Sequence, residues 1–201
     1  MFGTLALDNY DLVILILICF FAGLIRGFSG FGLSAFVMSL ALTIIPPIEL
    51  IPVCWWMEFF ASVYMIKNGW KDSDKKISII LWFGAIFGLP IGILLTTILD
   101  FQTSKIVALV LILILALILL RNFKIQFLTT TVGTISSGVF AGIATGLASI
   151  GGMIVATYVL ASQNSARRMR ASLVLYILLN TVTTFIFLII FDVMDLSLIH
   201  I

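Results

Sequence analysis

Long apolar runs separated by brief polar linkers make up most of the chain. The first run covers 12–28. The second, 33–45, is only about 13 residues and is bracketed by GFSGFG before it and Pro46-Pro47 after it. A helical crossing of a bilayer takes about 20 residues, so this segment is short for a full crossing. Runs at 48–66, 77–99 and 106–120 supply a third, fourth and fifth segment, the last almost pure Leu, Ile, Ala and Val. A Gly-rich sixth lies at 131–149, a second very short one at 153–161 and a full-length eighth at 171–191. Only elements that satisfy their own backbone groups cross lipid. The pattern therefore predicts an all-α polytopic membrane protein with about eight membrane segments, two of them short and open to a re-entrant reading.

Composition agrees. Hydrophobic residues make up 62% and charged residues 10%, where a soluble domain carries roughly a quarter charged, and the mean hydropathy is +1.28. One His and two Cys leave little material for a Cys/His metal cluster or a disulfide framework. No metal and no cofactor are expected. A formal net charge of +2 gives no nucleic-acid signal. No basic residue precedes the first apolar run, so 12–28 is read as a retained span rather than a signal peptide.

Lys and Arg concentrate in cytoplasmic loops. With the N-terminus outside and 12–45 treated as a hairpin, Arg26, Lys67, Lys71, Lys75, Lys76, Arg121, Lys124, Arg167, Arg168 and Arg170 fall inside and Lys105 alone outside. The short segments leave this count unchanged, since a hairpin returns the chain to the side it left. The expected location is a cell membrane, multi-pass, with the N-terminus outside.

Sliding the sequence against itself by 119 residues places Phe21, Ala22 and Gly23 on Phe140, Ala141 and Gly142, Gly27 on Gly146, and Gly32 on Gly151. FAGLIRGFSGFG and FAGIATGLASIG are read as two copies of one element, each followed by an unusually short segment. Under the orientation above, the first copy runs inward and the second outward. That makes an inverted-topology repeat: 1–125 holds segments one to five and 126–201 holds segments six to eight. The counterpart of 77–99 begins near Leu196, so the second repeat is expected to be incomplete and the chain truncated at its C-terminus.

The motif FAGLIRGFSGFG, its echo FAGIATGLASIGG and the following basic loop ARRMRAS resemble the sulfite exporter TauE/SafE family of membrane permeases. The resemblance covers most of the chain. It implies a transporter of the bacterial or archaeal inner membrane for sulfur-containing anions such as sulfite, organosulfonates or thiosulfate. The sulfur specificity comes from the resemblance alone.

In transporters with inverted repeats the site tends to lie near the midplane, where interrupted helices of the two halves expose backbone groups. The short Gly-interrupted stretches 27–32 and 146–152 point to it. A helix restarting after each break presents free N–H groups and a positive dipole end, an anion site that needs no charged side chain. Gly27, Gly30, Gly32, Gly146, Gly151 and Gly152 let an oxyanion approach the backbone, and Ser29 and Ser149 add hydroxyl donors. The same glycines also suit tight helix crossing.

Arg26 offers paired planar donors to a sulfite or sulfonate, with Thr145 as its counterpart in the second copy. Its other reading is a cytoplasmic helix end, snorkelling to headgroups. Glu58 is the one ionisable residue deep in a span, where comparable charges cost roughly 2.5–3.5 kcal/mol on insertion scales. It is read as a proton-coupling carboxyl, as an ion-pair partner of Arg26, or as a neutral hydrogen-bonded group. Asn180, beside Thr181, Thr183 and Thr184, either contacts substrate or bonds a neighbouring helix. Cys19 and Cys54 read as small apolar fillers. Trp55, Trp56 and Trp70 stay open between interface anchors and path lining.

The favoured function is a secondary transporter moving a small anionic substrate by alternating access. Its partners are that anion and the lipid bilayer; a homo-oligomer is left open and nucleic acid is not expected. No GxxxxGK[ST] loop supports ATP drive from this chain. An anion channel on the same repeat and a non-transporting assembly subunit are the alternatives. An intramembrane enzyme lacks both HExxH and any His before His200.

Overall fold

The computed structural model describes residues 8–121, 130–161 and 165–193. Among these are eight helices: α1 (Asn9–Ser29), α2 (Leu33–Ala41), α3 (Pro47–Asp72), α4 (Lys75–Ile98), α5 (Phe101–Arg121), α6 (Thr131–Ala148), α7 (Gly151–Ala161) and α8 (Ala166–Ile190). Six, all but α2 and α7, are long and apolar enough to cross a membrane. With 9 and 11 residues, α2 and α7 reach about half of a 30 Å hydrocarbon core at 1.5 Å per residue. Lys124 and the stretch from Leu196 onward, on which part of the sidedness count and the expected truncation rested, lie outside the described residues.

Helix ends have local causes. Pro47 takes the first position of α3, where no N–H donor is needed. Asp74 starts α4 by accepting from the Ile77 N–H at 3.2 Å, and Thr130 starts α6 by accepting from the Gly133 N–H at 3.0 Å. Two helices outrun their apolar stretches. α3 continues to Asp72, and the basic ARRMRAS stretch, expected as a loop, forms the first turns of α8. Hydrophobic patterning marks the part of a helix that faces lipid or core, and these polar turns are held by side chains instead. Arg167 pairs with Asp72 at 2.7 Å and Arg168 with Asp74 at 3.0 Å.

The closest helix pair is α4 with α6. Gly84, Gly88 and Gly92 meet Gly138, Gly142 and Gly146: a methyl built on Gly88 would lie 1.9 Å from the Val139 carbonyl oxygen, and one on Gly142 2.3 Å from that of Ala85. Small residues repeating every fourth position let two backbones touch, the packing that joins helices in lipid. Thr96 closes one end of this seam, its hydroxyl 3.0–3.3 Å from the Gly92, Gly146 and Leu147 carbonyls. α3 and α8 form a second pair, in which Trp55 donates its indole N–H to the Thr181 carbonyl at 2.7 Å and stacks on Phe185.

The 119-residue register recurs in the helices. Shifted by it, α1, α2 and α3 fall on α6, α7 and α8 with ends matching to within about three residues. The correspondence reaches single residues. Gly30 and Ser149 are equivalent in this register, and both hold a left-handed backbone, with φ 84° and 55°. Each ends a long helix just before a short one begins.

Candidate functional site

Both helix breaks open onto one cavity of about 40 Å³. The start of α2 faces it with Gly32, Ser34 and Ala35, and the break before α7 with Ser149, Ile150 and Gly152. In α2 the first residue to donate a helical hydrogen bond is Phe36, to the Gly32 carbonyl at 3.0 Å, and no side chain caps the turn. Leu33, Ser34 and Ala35 precede that first donor in α2; at the start of α7 the Ile150 N–H donates to the Ala144 carbonyl and the Met153 N–H to the Ile150 carbonyl, which leaves Gly151 and Gly152 as its leading N–H groups. Each start carries the positive end of its helix dipole.

The remaining walls are polar in an apolar bundle. Thr145 of α6, Glu58 of α3, and Tyr176, Asn180 and Thr184 of α8 border the cavity, with Cys54 and Trp55 of α3. Asn180 Nδ2 donates to Thr145 Oγ1 at 3.3 Å, while Asn180 Oδ1 and the Tyr176 hydroxyl are buried with no hydrogen-bond partner among the described residues. Tyr176 is 1% exposed and Asn180 6%. A buried polar group left free costs about 1–3 kcal/mol, and two of them border one hollow large enough for about three water-sized volumes.

One wall is an ion pair. Glu58 Oε1 accepts from Ser34 Oγ at 3.0 Å, and Oε2 lies 3.0 Å from Arg26 Nε. Arg26 Nη2 donates to Ser62 Oγ at 2.8 Å. At 1% exposure Arg26 is turned into the bundle, so of the readings open to it the snorkelling one gives way to pairing. Behind Arg26 lies a wider groove of about 890 Å³, bordered by Gly23 and Gly27 of α1, Tyr64 and Asp72 of α3, and Arg167 and Arg170 of α8. Arg170 donates to the Gly27 carbonyl oxygen.

The structure sorts the residues that the sequence pointed to. Gly32, Glu58, Thr145, Ser149, Gly152 and Asn180 border the inner cavity; Arg26 and Gly27 border the outer groove. Ser29 stays within its own break, bonding the Ile25 and Phe31 carbonyls at 2.8 and 2.6 Å. Gly30 lies under Arg170, whose Cγ would stand 2.7 Å from a methyl there. Gly146 and Gly151 are packed against α4 and α6 rather than set at either hollow: a methyl on the first would meet Ile93 N at 2.4 Å, and one on the second the Thr145 hydroxyl oxygen at 2.1 Å and the Ala141 carbonyl oxygen at 2.2 Å. Tyr176, Ser34 and Ser62 enter the site without having been singled out. Tyr176 precedes Asn180 by four residues and so shares its face of α8, a signal that was available. Ser34 and Ser62 take part through contacts far apart in sequence, for which no local pattern exists. Among the described residues no group of three or more His, Cys, Asp or Glu is placed to hold a metal.

Six apolar spans and two short helices that begin at a shared polar cavity define a multi-pass helical membrane protein with interrupted helices at its centre. The family model for the sulfite exporter TauE/SafE matches residues 15–201. The chain belongs to that family, a family of membrane transporters. No curated protein and no solved structure matches it.

Proposed function

We propose that the chain is a secondary transporter of a small sulfur-containing oxyanion, which binds in the inner cavity between the first turns of α2 and α7. The observation that carries this reading is the convergence of two helix N-termini on one hollow that also holds the unpartnered Tyr176 hydroxyl. Free N–H groups and dipole ends attract an anion without a lysine or arginine inside the cavity, and the Ser149 and Tyr176 hydroxyls are further donors. Family membership supports an anion of the sulfur class, such as sulfite, an organosulfonate or thiosulfate. In this reading α1–α3 and α6–α8 are inverted halves that expose the cavity alternately to the two sides, and Glu58 is the carboxyl through which a coupling proton acts. Arg26 near the end of α1, Arg167 and Arg170 at the start of α8 and Asp72 border the outer groove, and the positive-inside bias supports a cytoplasmic placement of that face with the N-terminus outside. The membrane is the inner membrane of a bacterium or archaeon.

Thermal stability in detergent tests this, because a ligand that binds only the folded state raises apparent stability. The panel is sulfite, thiosulfate, sulfoacetate, acetate and chloride. A shift confined to the sulfur anions is expected. Tyr176→Phe, which removes a cavity donor, should weaken it severalfold, and Lys105→Gln should leave it intact. No shift with any anion, or equal losses in the two variants, rejects the site. Saturable counterflow in proteoliposomes separates a transporter from a channel.

A further inference from the structure

We infer that the Arg26–Glu58 ion pair is the partition between the inner cavity and the outer groove, and that it opens when an oxyanion takes the place of the Glu58 carboxylate on the Arg26 guanidinium. The first half stands on geometry; the second rests on the anion-transport reading above. Glu58 borders the inner cavity and Arg26 borders the groove, and the two meet at 3.0 Å. The two hollows are therefore separated, along this line, by one side-chain contact.

The pair is built to exchange. Each member has a single hydroxyl tether from a different helix, Ser62 on the guanidinium and Ser34 on the carboxylate. Arg26 Nε and Nη1 form no aligned hydrogen bond among the described residues, although both are buried. Nε keeps the ion-pair contact with Glu58, so Nη1 is the guanidinium nitrogen left without a partner where that is costly. An oxyanion presents paired acceptors to that planar fork, where Glu58 offers a single oxygen to Nε and turns the other to Ser34. An anion held at the start of α2 lies beside Glu58, and like charges in one small hollow repel. Glu58 then has Ser34 to retain it on the cavity side. Arg26 has room on the other side: methyl groups built on Gly23 or Gly27, which flank it on α1, would meet nothing within 4 Å. Arg170, already on the Gly27 carbonyl, is the next cation along the groove.

Cys54 reports on the partition, since it is fully buried and borders the inner cavity, and Cys19 is the only other cysteine in the chain. The full chain carrying Cys19→Ser is reconstituted in vesicles. Modification of Cys54 by a membrane-impermeant methanethiosulfonate is then followed from each face. With the pair intact, labelling from the groove face is slow. Arg26→Gln and Glu58→Gln should each raise it at least tenfold with no anion added, leaving the rate from the opposite face unchanged; Glu58→Asp, which keeps the charge, should stay protected. Methanesulfonate, chosen because sulfite consumes the reagent, should raise the rate in the chain with the pair intact.

Unchanged labelling in both Gln variants overturns the partition, and so does an equal rise from both faces, which marks a loosened bundle. Should the Gln variants fail to fold, the methanesulfonate arm decides on the intact pair: acceleration from the groove face alone supports the proposal, and none overturns it. If the variants open the path but methanesulfonate does not, anion displacement falls while the partition stands. The anion-binding reading itself falls only if the thermal panel is also silent.

Discussion

Gly30 and Ser149 both hold a left-handed backbone at the end of a long helix, but the first position is a glycine and the second a serine that borders the cavity. Glycine adopts that conformation at no steric cost, while a side chain is strained there. Ser149→Gly is expected to leave thermal stability unchanged or to raise it by up to about 1 kcal/mol, and to weaken anion-induced stabilisation through loss of the hydroxyl. Gly30→Ala should lower stability, because φ is 84° and the new methyl would press on Arg170. Melting curves of the two variants, with and without thiosulfate, check both signs.

The seam between α4 and α6 makes a sharper contrast. Gly88→Ala sets a methyl against the Val139 backbone, so the helices must part, and a loss of about 1–3 kcal/mol is expected. Gly23→Ala, with open space around it, should be neutral or stabilising by about 0.5–1 kcal/mol through helix propensity. Unfolding of both in the same detergent is the measurement, and equal effects would contradict the close approach.

Tyr176→Phe should separate folding from binding. The hydroxyl is buried and unpartnered among the described residues, so removing it is expected to stabilise the anion-free protein by about 1 kcal/mol. The same change removes a donor from the cavity and should weaken the stabilisation by sulfur anions severalfold. A variant that melts lower without anion, or responds to anion as the parent does, would count against the placement of this group.

Acid should erase one contribution between α4 and α5. The Thr103 hydroxyl and N–H donate to the Asp100 carboxylate at 2.7 and 3.1 Å, and these bonds hold its pKa below the ordinary value. A carboxyl lowered in the folded state binds fewer protons folded than unfolded. Its contribution is therefore present above the unfolded value of about 3.9 and is lost as pH falls through the lower folded value. The melting-temperature gap between the parent and Asp100→Ala should shrink as pH is taken from about 6 to about 3.

The helices were legible because each bilayer-facing stretch is long and apolar, and the two breaks because a backbone that must turn left-handed or approach closely draws small residues. What the glycines do was not legible. Gly32 and Gly152 border a cavity while Gly146 and Gly151 touch backbone, and nothing in the residue type distinguishes these roles. The difference depends on α4, which supplies the surface opposing Gly146, and on α6, which supplies the one opposing Gly151, and both are in place only once the chain is folded. Arg26 and Glu58 stood out individually, as charges in or near apolar spans. Their pairing was one of the readings open to Glu58; choosing it needed α1 and α3 to be adjacent, and the two serines that hold the pair come from contacts the local pattern does not encode.

The glycine face of α4 leaves the ribosome well before α6 exists to cover it. Until then that face lacks its partner, so assembly includes a docking step in which α6 closes onto α4. Substitutions along the seam should accordingly reduce how much protein accumulates in the membrane far more than they change the turnover of the molecules that complete assembly.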